Sequence, residues 1–316
     1  MADPSLSATI LIISWNQRDF LVRLVEQCLD QEFDPRDYEV IVVDDGSTDG
    51  SQEWLNEQTD PRLRPLLSND RVGRAASRNR GILAARGRVV IMIDGDHTIQ
   101  RDFIRRHLEL HESQACAVVG KSDFVDHPDF RALNHYLNGG GAVKLPPGST
   151  LPGRYFLTRN CSVPRDVLLK IGMFDEDFTA WGGEDLELGV KLEEAGVPIL
   201  ACPEALAVHH HLRPLDALLE NLYRYGREGI PILVDRHPRL YRELNLDRLT
   251  DHPSERGRYH PLSRLGYRIL ILAPVYRVIK SVAVLLRRRR LPRFVFDYLH
   301  LRQYGRGYLD HLKSQP

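Results

Sequence analysis

The sequence predicts an α/β fold with a mostly parallel central sheet flanked by helices, followed by a helical C-terminal region. Three observations carry this. Short, continuous apolar runs alternate with segments of helical periodicity through the first two hundred residues. The runs are apolar throughout rather than at every second position, as in strands covered on both faces. From about Arg213 the strand-like runs give way to Arg/Tyr-rich helical patterns.

In order, Thr9–Ser14 reads as a buried strand and Phe20–Leu29 as an amphipathic helix. Tyr38–Val43 is the second strand, Ser51–Gln58 a short helix and Leu63–Leu67 the third strand. Ala75–Ala85 is helical and Val89–Ile93 is the most apolar strand. After Asp94 the pattern loosens. Gly139-Gly140-Gly141 and Leu145-Pro146-Pro147-Gly148 mark a loop, either a lid or a plain surface excursion, before a strand-like Arg154–Val163. A helix follows Trp181-Gly182-Gly183 and ends near Gly196; Leu218–Tyr225 and Leu240–Leu244 are helical. The expected division is a catalytic domain over 1–212 and a helical region over 213–316.

Composition narrows the class. With 42% hydrophobic and 27% charged residues the chain is ordinary for a soluble protein. Lys+Arg and Asp+Glu both number 43, which gives no reason to expect nucleic acid as a partner. Four scattered cysteines, with no zinc spacing, and a polar N-terminus point to a cytoplasmic protein. The run Ile269–Leu286 is interrupted by Pro274, Arg277 and Lys280 and followed by Arg287–Arg290, so it lacks the pattern of a membrane span. It reads either as a core helix with a solvated basic end or as a helix in the interface, its arginines on anionic headgroups at the inner face of a membrane.

The chemistry concentrates at strand ends and one helix start. Glu184-Asp185 follows the Gly-Gly pair, and a carboxylate in a first helical turn is held ionised by the macrodipole, as a base requires. A plain preference of acids for helix starts is the competing account. Gly183 would allow close approach to a ligand, and Trp181 offers a flat face for stacking or for core packing. Asp44-Asp45-Gly46 ends the second strand, where a carboxylate can accept a hydrogen bond from a base or a ribose hydroxyl. Capping by Ser47, Thr48 or Asp49, with Gln52 completing a box from Asp49, would leave Asp44 and Asp45 unused. Arg74, Arg78 and Arg80 open the next helix; Arg78 is the candidate for a diphosphate, and Arg80 reads as solvated. Asp94-Gly95-Asp96 ends the most apolar strand with hard oxygen ligands suited to Mg²⁺ or Mn²⁺. Of His209, His210 and His211, His209 is the candidate metal ligand.

These motifs, in this order over Ala8–His211, resemble the family 2 glycosyltransferases. The resemblance implies a GT-A, Rossmann-like fold, a nucleotide-sugar donor, a divalent cation and an inverting reaction. It implies that Asp45, with Asp44, binds the nucleoside. Asp94 would lie near the ribose, Asp96 and His209 on the metal, and Asp185 would act as the base. Glu184, Trp181, Gly183 and Asn160 would bind acceptor or donor sugar, and Ser14 and Arg78 complete the nucleotide site. The Trp-Gly-Gly-Glu-Asp form is similar to that of galactosyl- and N-acetylgalactosaminyltransferases, which implies a UDP-sugar. The chain departs from the family at Ile13-Ser14-Trp15-Asn16, where many members carry Pro-Thr-Tyr-Asn. The expected acceptor is a saccharide, a lipid-linked sugar or a protein, with a role in polysaccharide or lipid-linked saccharide synthesis. The rivals are a nucleotidyltransferase, which would need a Gly-rich loop and lysine absent from Ser14–Arg18, and a non-catalytic scaffold.

Overall fold

A computed structural model describes residues 6–139, 145–211, 213–250 and 269–314. Gly140 and Gly141 of the predicted loop lie outside the described residues. Two compact units emerge, the first from Met1–Val125, Asn138–Thr179 and Glu184–Leu212, the second from Asp126–Leu137, Ala180–Gly183 and Arg213–Pro316.

The first unit is a nine-stranded sheet. Its strands are β1 (Leu6–Ser14), β2 (Tyr38–Asp44), β3 (Leu63–Leu67), β4 (Gly87–Asp94), β5 (His97–Ile99), β6 (Ala117–Phe124), β7 (Thr150–Leu151), β8 (Asn160–Pro164) and β9 (Ile199–His209). The order is β3-β2-β1-β4-β8-β6-β9-β5, with β7 on β9. β3, β2, β1 and β4 run parallel, β8 is antiparallel to both β4 and β6, and β6 and β9 are parallel.

The apolar runs alternate between two buried layers, which is why they look continuous in sequence. Ile10, Ile12, Val40, Val42, Val89 and Ile91 pack on one face with helix α1 (Arg18–Leu29). Leu11, Ile41, Val43, Val90 and Met92 pack on the other with helix α3 (Arg74–Ala84), whereas helix α2 (Ser51–Asn56), between β2 and β3, packs Leu55 into the first layer. On the second layer α3 lies so close that a β-carbon at Gly81 would meet the Leu11 side chain at 2.2 Å. Helix α4 (Phe103–His111) joins the first layer. Helix α5 (Arg131–Asn138) belongs, apart from Asn138, to the second unit, and helices α6 (Arg165–Lys170) and α7 (Glu184–Glu194) complete the second layer of the first. α7 terminates where Gly196 takes a φ of +72°, beside the predicted end.

One segment departs from the expectation. The strand-like stretch from Arg154 begins as a short 3₁₀ turn, Gly153–Tyr155, and pairs only from Asn160. Thr158 and Arg159 are thereby left in a loop at the head of β8 rather than inside the ladder.

In the second unit, helix α8 (Leu215–Arg224) runs through one π turn, Tyr225–Gly229, into helix α9 (Ile230–Arg236), followed by helix α10 (Leu240–Glu243). Helix α11 (Ala273–Leu285) and helix α12 (Arg293–Ser314) complete it. Gly226 and Gly307 let α12 cross α8 and the π turn closely: a β-carbon would meet the Tyr304 and Tyr223 carbonyl oxygens at 2.0 and 2.1 Å. Ile230, Val234, Tyr241, Leu246 and Tyr308 form the core of this unit. α11 is mostly exposed, with only Ala283 buried. Among the described residues no helix is long and apolar enough to cross a membrane.

Candidate active site

Strand register assembles the acidic residues. Ser14 lies opposite Asp44, and Ile13 opposite Asp94, so the carboxyl ends of β1, β2 and β4 finish level. The antiparallel β8 starts opposite Ile93. β5 begins at His97 opposite His209, which also pairs with Phe124 at the end of β6. Residues remote in sequence thus share the edge of the sheet where ligands bind in parallel α/β proteins.

On the β2 side, Asp45 is buried and accepts hydrogen bonds from the backbone N–H groups of Val72 (2.7 Å) and Gly73 (3.1 Å). Arg71, 3.8 Å from Asp45, also stacks 3.9 Å over the exposed Trp15 ring. Asp44 is fully buried. Its Oδ1 accepts from the Ser47 N–H (2.8 Å) and from Gln52 Nε2 (2.7 Å). This corrects the capping expectation. Gln52 turns to Asp44 and the Ser68 carbonyl instead of Asp49, and the residue capping α2 is Gly50, whose φ of +85° needs glycine. Asp44 therefore organises the turn that presents Asp45. Ser14 is buried at the end of β1, its Oγ lacking a hydrogen-bond partner among the described residues.

Arg78 anchors the centre. Its buried guanidinium donates to Asp94 Oδ1 (2.9 Å) and Glu184 Oε1 (3.3 Å) and lies 3.8 Å from Asp185 Oδ1. Burial opposes its charge, but Asp94, Asp185 and Glu184 outweigh burial and hold the pKa above the ordinary arginine value. Burial likewise raises Asp94, and Arg78 more than reverses this, leaving that carboxyl below its usual range. Glu184 goes the other way: burial, then the charge of Asp185, push it up. Asp185 accepts a hydrogen bond from Thr158 Oγ1 and keeps 25% of its side chain exposed.

Asp96 is the most densely supported carboxylate. His97 Nδ1 lies 3.0 Å from its Oδ1 and His209 Nε2 2.9 Å from its Oδ2, to which Gln17 Nε2 also donates (3.2 Å). The His97 and His209 rings stack with centroids 4.5 Å apart, and Phe124 packs edge-on against His209 at 4.6 Å. Burial opposes the Asp96 charge, but hydrogen bonds from His209 and His97 hold its carboxyl well below the usual range. Asp96, His97 and His209 form a cluster able to hold a metal ion. Two ligands each about 2.1 Å from an octahedral ion sit roughly 3 Å apart, and the 2.9 Å Asp96–His209 separation meets that requirement. One carboxylate oxygen and one imidazole suit Mn²⁺. His210 instead shares a 2.8 Å hydrogen bond with Thr98 and stacks on Phe20, and His211 is exposed.

Two of the roles expected from sequence give way to the structure here, and both concern side chains whose partners are distant along the chain. Asn160 is not free to bind sugar. It is 1% exposed, its Nδ2 donates to the carbonyls of Lys121 and Ala205 (2.8 Å each), and its Oδ1 lies 2.9 Å from His107 Nε2. The β6–β9 register shifts between Gly120 and Lys121, and the Asn160 amide satisfies carbonyls that this bulge leaves out of the ladder. Arg78 faces carboxylates rather than open space for a diphosphate. Trp181 and Gly183 belong to the second unit. There Gly182 and Gly183 take φ values of +91° and +109°, open only to glycine, and Gly182 packs on the Tyr225 ring. Sequence reasoning missed Thr158, Gln17 and His97; of these, only His97 carried a signal, by directly following Asp96.

Fold and site together define a GT-A protein: a Rossmann-like sheet with acids at the carboxyl ends of β2 and β4 and at the start of α7. Residues 9–174 match the glycosyl transferase family 2 profile, and the chain belongs to that family. It is 28% identical over 270 residues to validoxylamine A glucosyltransferase from Streptomyces hygroscopicus subsp. limoneus, covering 75% of this chain and 58% of that protein. The chain thus spans about three fifths of the length of the first curated relatives it matches. Among solved structures, the mannosyltransferase PcManGT from Pyrobaculum calidifontis, in complex with GDP-Man and Mn²⁺, superposes with a TM-score of 0.63 at 17% identity. That match covers 99% of this chain and 90% of the other. GalNAc-T7 with UDP, GalNAc and Mn²⁺ gives a TM-score of 0.53 at 17% identity, covering 65% of this chain and 44% of that one. At these identities the two structures speak for the fold.

Proposed function

We propose that this chain is a metal-dependent inverting glycosyltransferase that moves a hexose or N-acetylhexosamine from a nucleotide sugar to an acceptor hydroxyl. The observation that carries this reading is the meeting of Asp185, on the first turn of α7, with Arg78 and Asp94, on the same sheet edge as the Asp96–His209 pair. Asp45 and its loop receive the nucleoside, with Ser14 and Trp15 beside it. Asp96 and His209 hold Mn²⁺ or Mg²⁺, which supplies charge neutralisation at the diphosphate when bound.

Asp185 takes the acceptor proton as the acceptor oxygen attacks. Thr158 and Arg78 fix the orientation of that carboxylate. Glu184, inclined to keep its proton, donates to or accepts from a sugar hydroxyl. A base acting opposite the leaving group gives single displacement and inversion. The catalytic role is assigned to residues 1–212 and an accessory role to 213–316. The Trp-Gly-Gly-Glu-Asp form favours UDP-hexose or UDP-N-acetylhexosamine, and the acceptor is a glycan or lipid-linked saccharide at the inner face of a membrane.

The test is release of the nucleoside diphosphate from a panel of UDP- and GDP-sugars, with and without Mn²⁺. UDP release that requires the cation is expected. Pyrophosphate release from UTP or GTP mixed with a sugar phosphate, or no turnover of any donor, would overturn the reading.

The membrane contact rests on the second unit. Val278, Val282 and Leu285 of α11 are exposed, at 64%, 42% and 79%, next to the exposed basic run Arg287–Arg290. Exposed apolar side chains beside arginines match an anionic lipid interface. Sedimentation with phosphatidylglycerol vesicles should fall about tenfold for Val278→Asp/Leu285→Asp, each buried apolar group adding a similar increment of affinity. Equal sedimentation of variant and parent would remove the contact.

A further inference from the structure

Arg159 is a cation of the first unit to which the reaction so far gives no task. It sits in the loop at the head of β8, between Thr158, which holds Asp185, and Asn160, which braces the β6–β9 bulge. Both neighbours are fixed, so the backbone at Arg159 is fixed too. Its guanidinium lies 5.3 Å over the Phe124 ring, and the same ring packs against His209. The charges that act on it are Asp94, Asp185 and Asp96, the acids of the site. Yet among the described residues no hydrogen bond or ion pair involves its N–H groups. Arg78 is the contrast: it faces the same acids, but its donors are engaged by Asp94 and Glu184.

A guanidinium carries five donors in a planar fork that matches phosphate oxygens. Withdrawing one even partly from water without partners is costly, and Arg159 is half-buried, with burial working against its charge. A bound anion would remove that cost. We infer that Arg159 is the residue that grips the donor diphosphate beside the Asp96–His209 pair, taking the place that sequence alone suggested for Arg78. The inference rests on the proposed glycosyl transfer.

In that reaction the bond from sugar C1 to the diphosphate oxygen breaks, and its electron pair stays on the diphosphate. The acceptor oxygen bonds C1 and its proton passes to Asp185. The departing group therefore gains one negative charge. A forked donor already aimed at it stabilises that charge more than it stabilises the intact donor. The cation–π contact with Phe124 keeps the guanidinium in position meanwhile.

Calorimetric titration with UDP, GDP, UMP and GMP in Mn²⁺ separates the possibilities, using the full chain, Arg159→Gln and Arg159→Lys. Arg159→Gln should weaken UDP or GDP by about 10- to 100-fold, the range for charge-assisted hydrogen bonds. Binding of the matching monophosphate should change by no more than about threefold, since the lost contact is to the second phosphate. Arg159→Lys, a point charge without the fork, should fall between. If Arg159→Gln lacks a melting transition, Arg159→Lys is read by the same diphosphate-to-monophosphate ratio. An unchanged ratio in the folded variants overturns the role of Arg159 while leaving glycosyl transfer intact. Failure of the parent chain to bind any nucleoside diphosphate overturns both.

Discussion

Replacing Asp185 with Asn should reduce sugar transfer by about 10²- to 10⁴-fold, the contribution of a positioned general base, while donor binding stays within about threefold. The geometry gives the reason for the split. Asp185 accepts from Thr158 and lies 3.8 Å from Arg78, whose closer partners are Asp94 at 2.9 Å and Glu184 at 3.3 Å. An amide of the same shape keeps the Thr158 hydrogen bond and leaves those closer pairs intact, but it cannot accept the acceptor proton. Glu184 does not substitute, because it is buried and its Oε1 accepts from Arg78. The measurement is steady-state transfer beside equilibrium binding of the nucleotide sugar. If kcat is unchanged in Asp185→Asn, another group is the base. If donor affinity falls as steeply as transfer, the residue is a binding contact instead.

How far the sequence reached depends on how local each cause was. β1, β2 and β4 were legible because each is an unbroken apolar run, and the two-layer core explains that pattern from within the strand. The acids closing these strands were legible for the same reason. Strand order was not, since it depends on which edges meet after crossovers. Asn160 misled because its role comes from a bulge: the carbonyl it caps on Ala205 is 45 residues away. Arg78 was recognised as special, but its partner Glu184 is 106 residues away, so a phosphate looked as good as a carboxylate. Arg159 had no signal at all, because its sense comes from Phe124 and from acids delivered by three different elements.

Asp96→Asn should lower transfer by about two to three orders of magnitude, the scale of losing one preorganised electrostatic stabiliser, and should also weaken Mn²⁺ binding. Asp96 joins four segments: Gln17 ahead of α1, His97 opening β5, His209 closing β9, and the turn after β4 that carries it. Three of those partners direct nitrogen atoms at its two oxygens, so the carboxylate stays ionised although buried. That is the condition for a cation ligand: charge retained, water excluded. Asn keeps the size and one acceptor oxygen but gives up the charge, so the fold should survive while the cation is lost. Its neighbour Asp94 cannot compensate, because Arg78 already neutralises it at 2.9 Å. Electron paramagnetic resonance titration of free Mn²⁺ reads the metal directly, without turnover. His209→Gln should weaken Mn²⁺ binding less than Asp96→Asn, because it removes a neutral ligand and leaves the charge in place. Undiminished Mn²⁺ affinity in Asp96→Asn would mean that the cation, if one is used, is held elsewhere than at the end of β4.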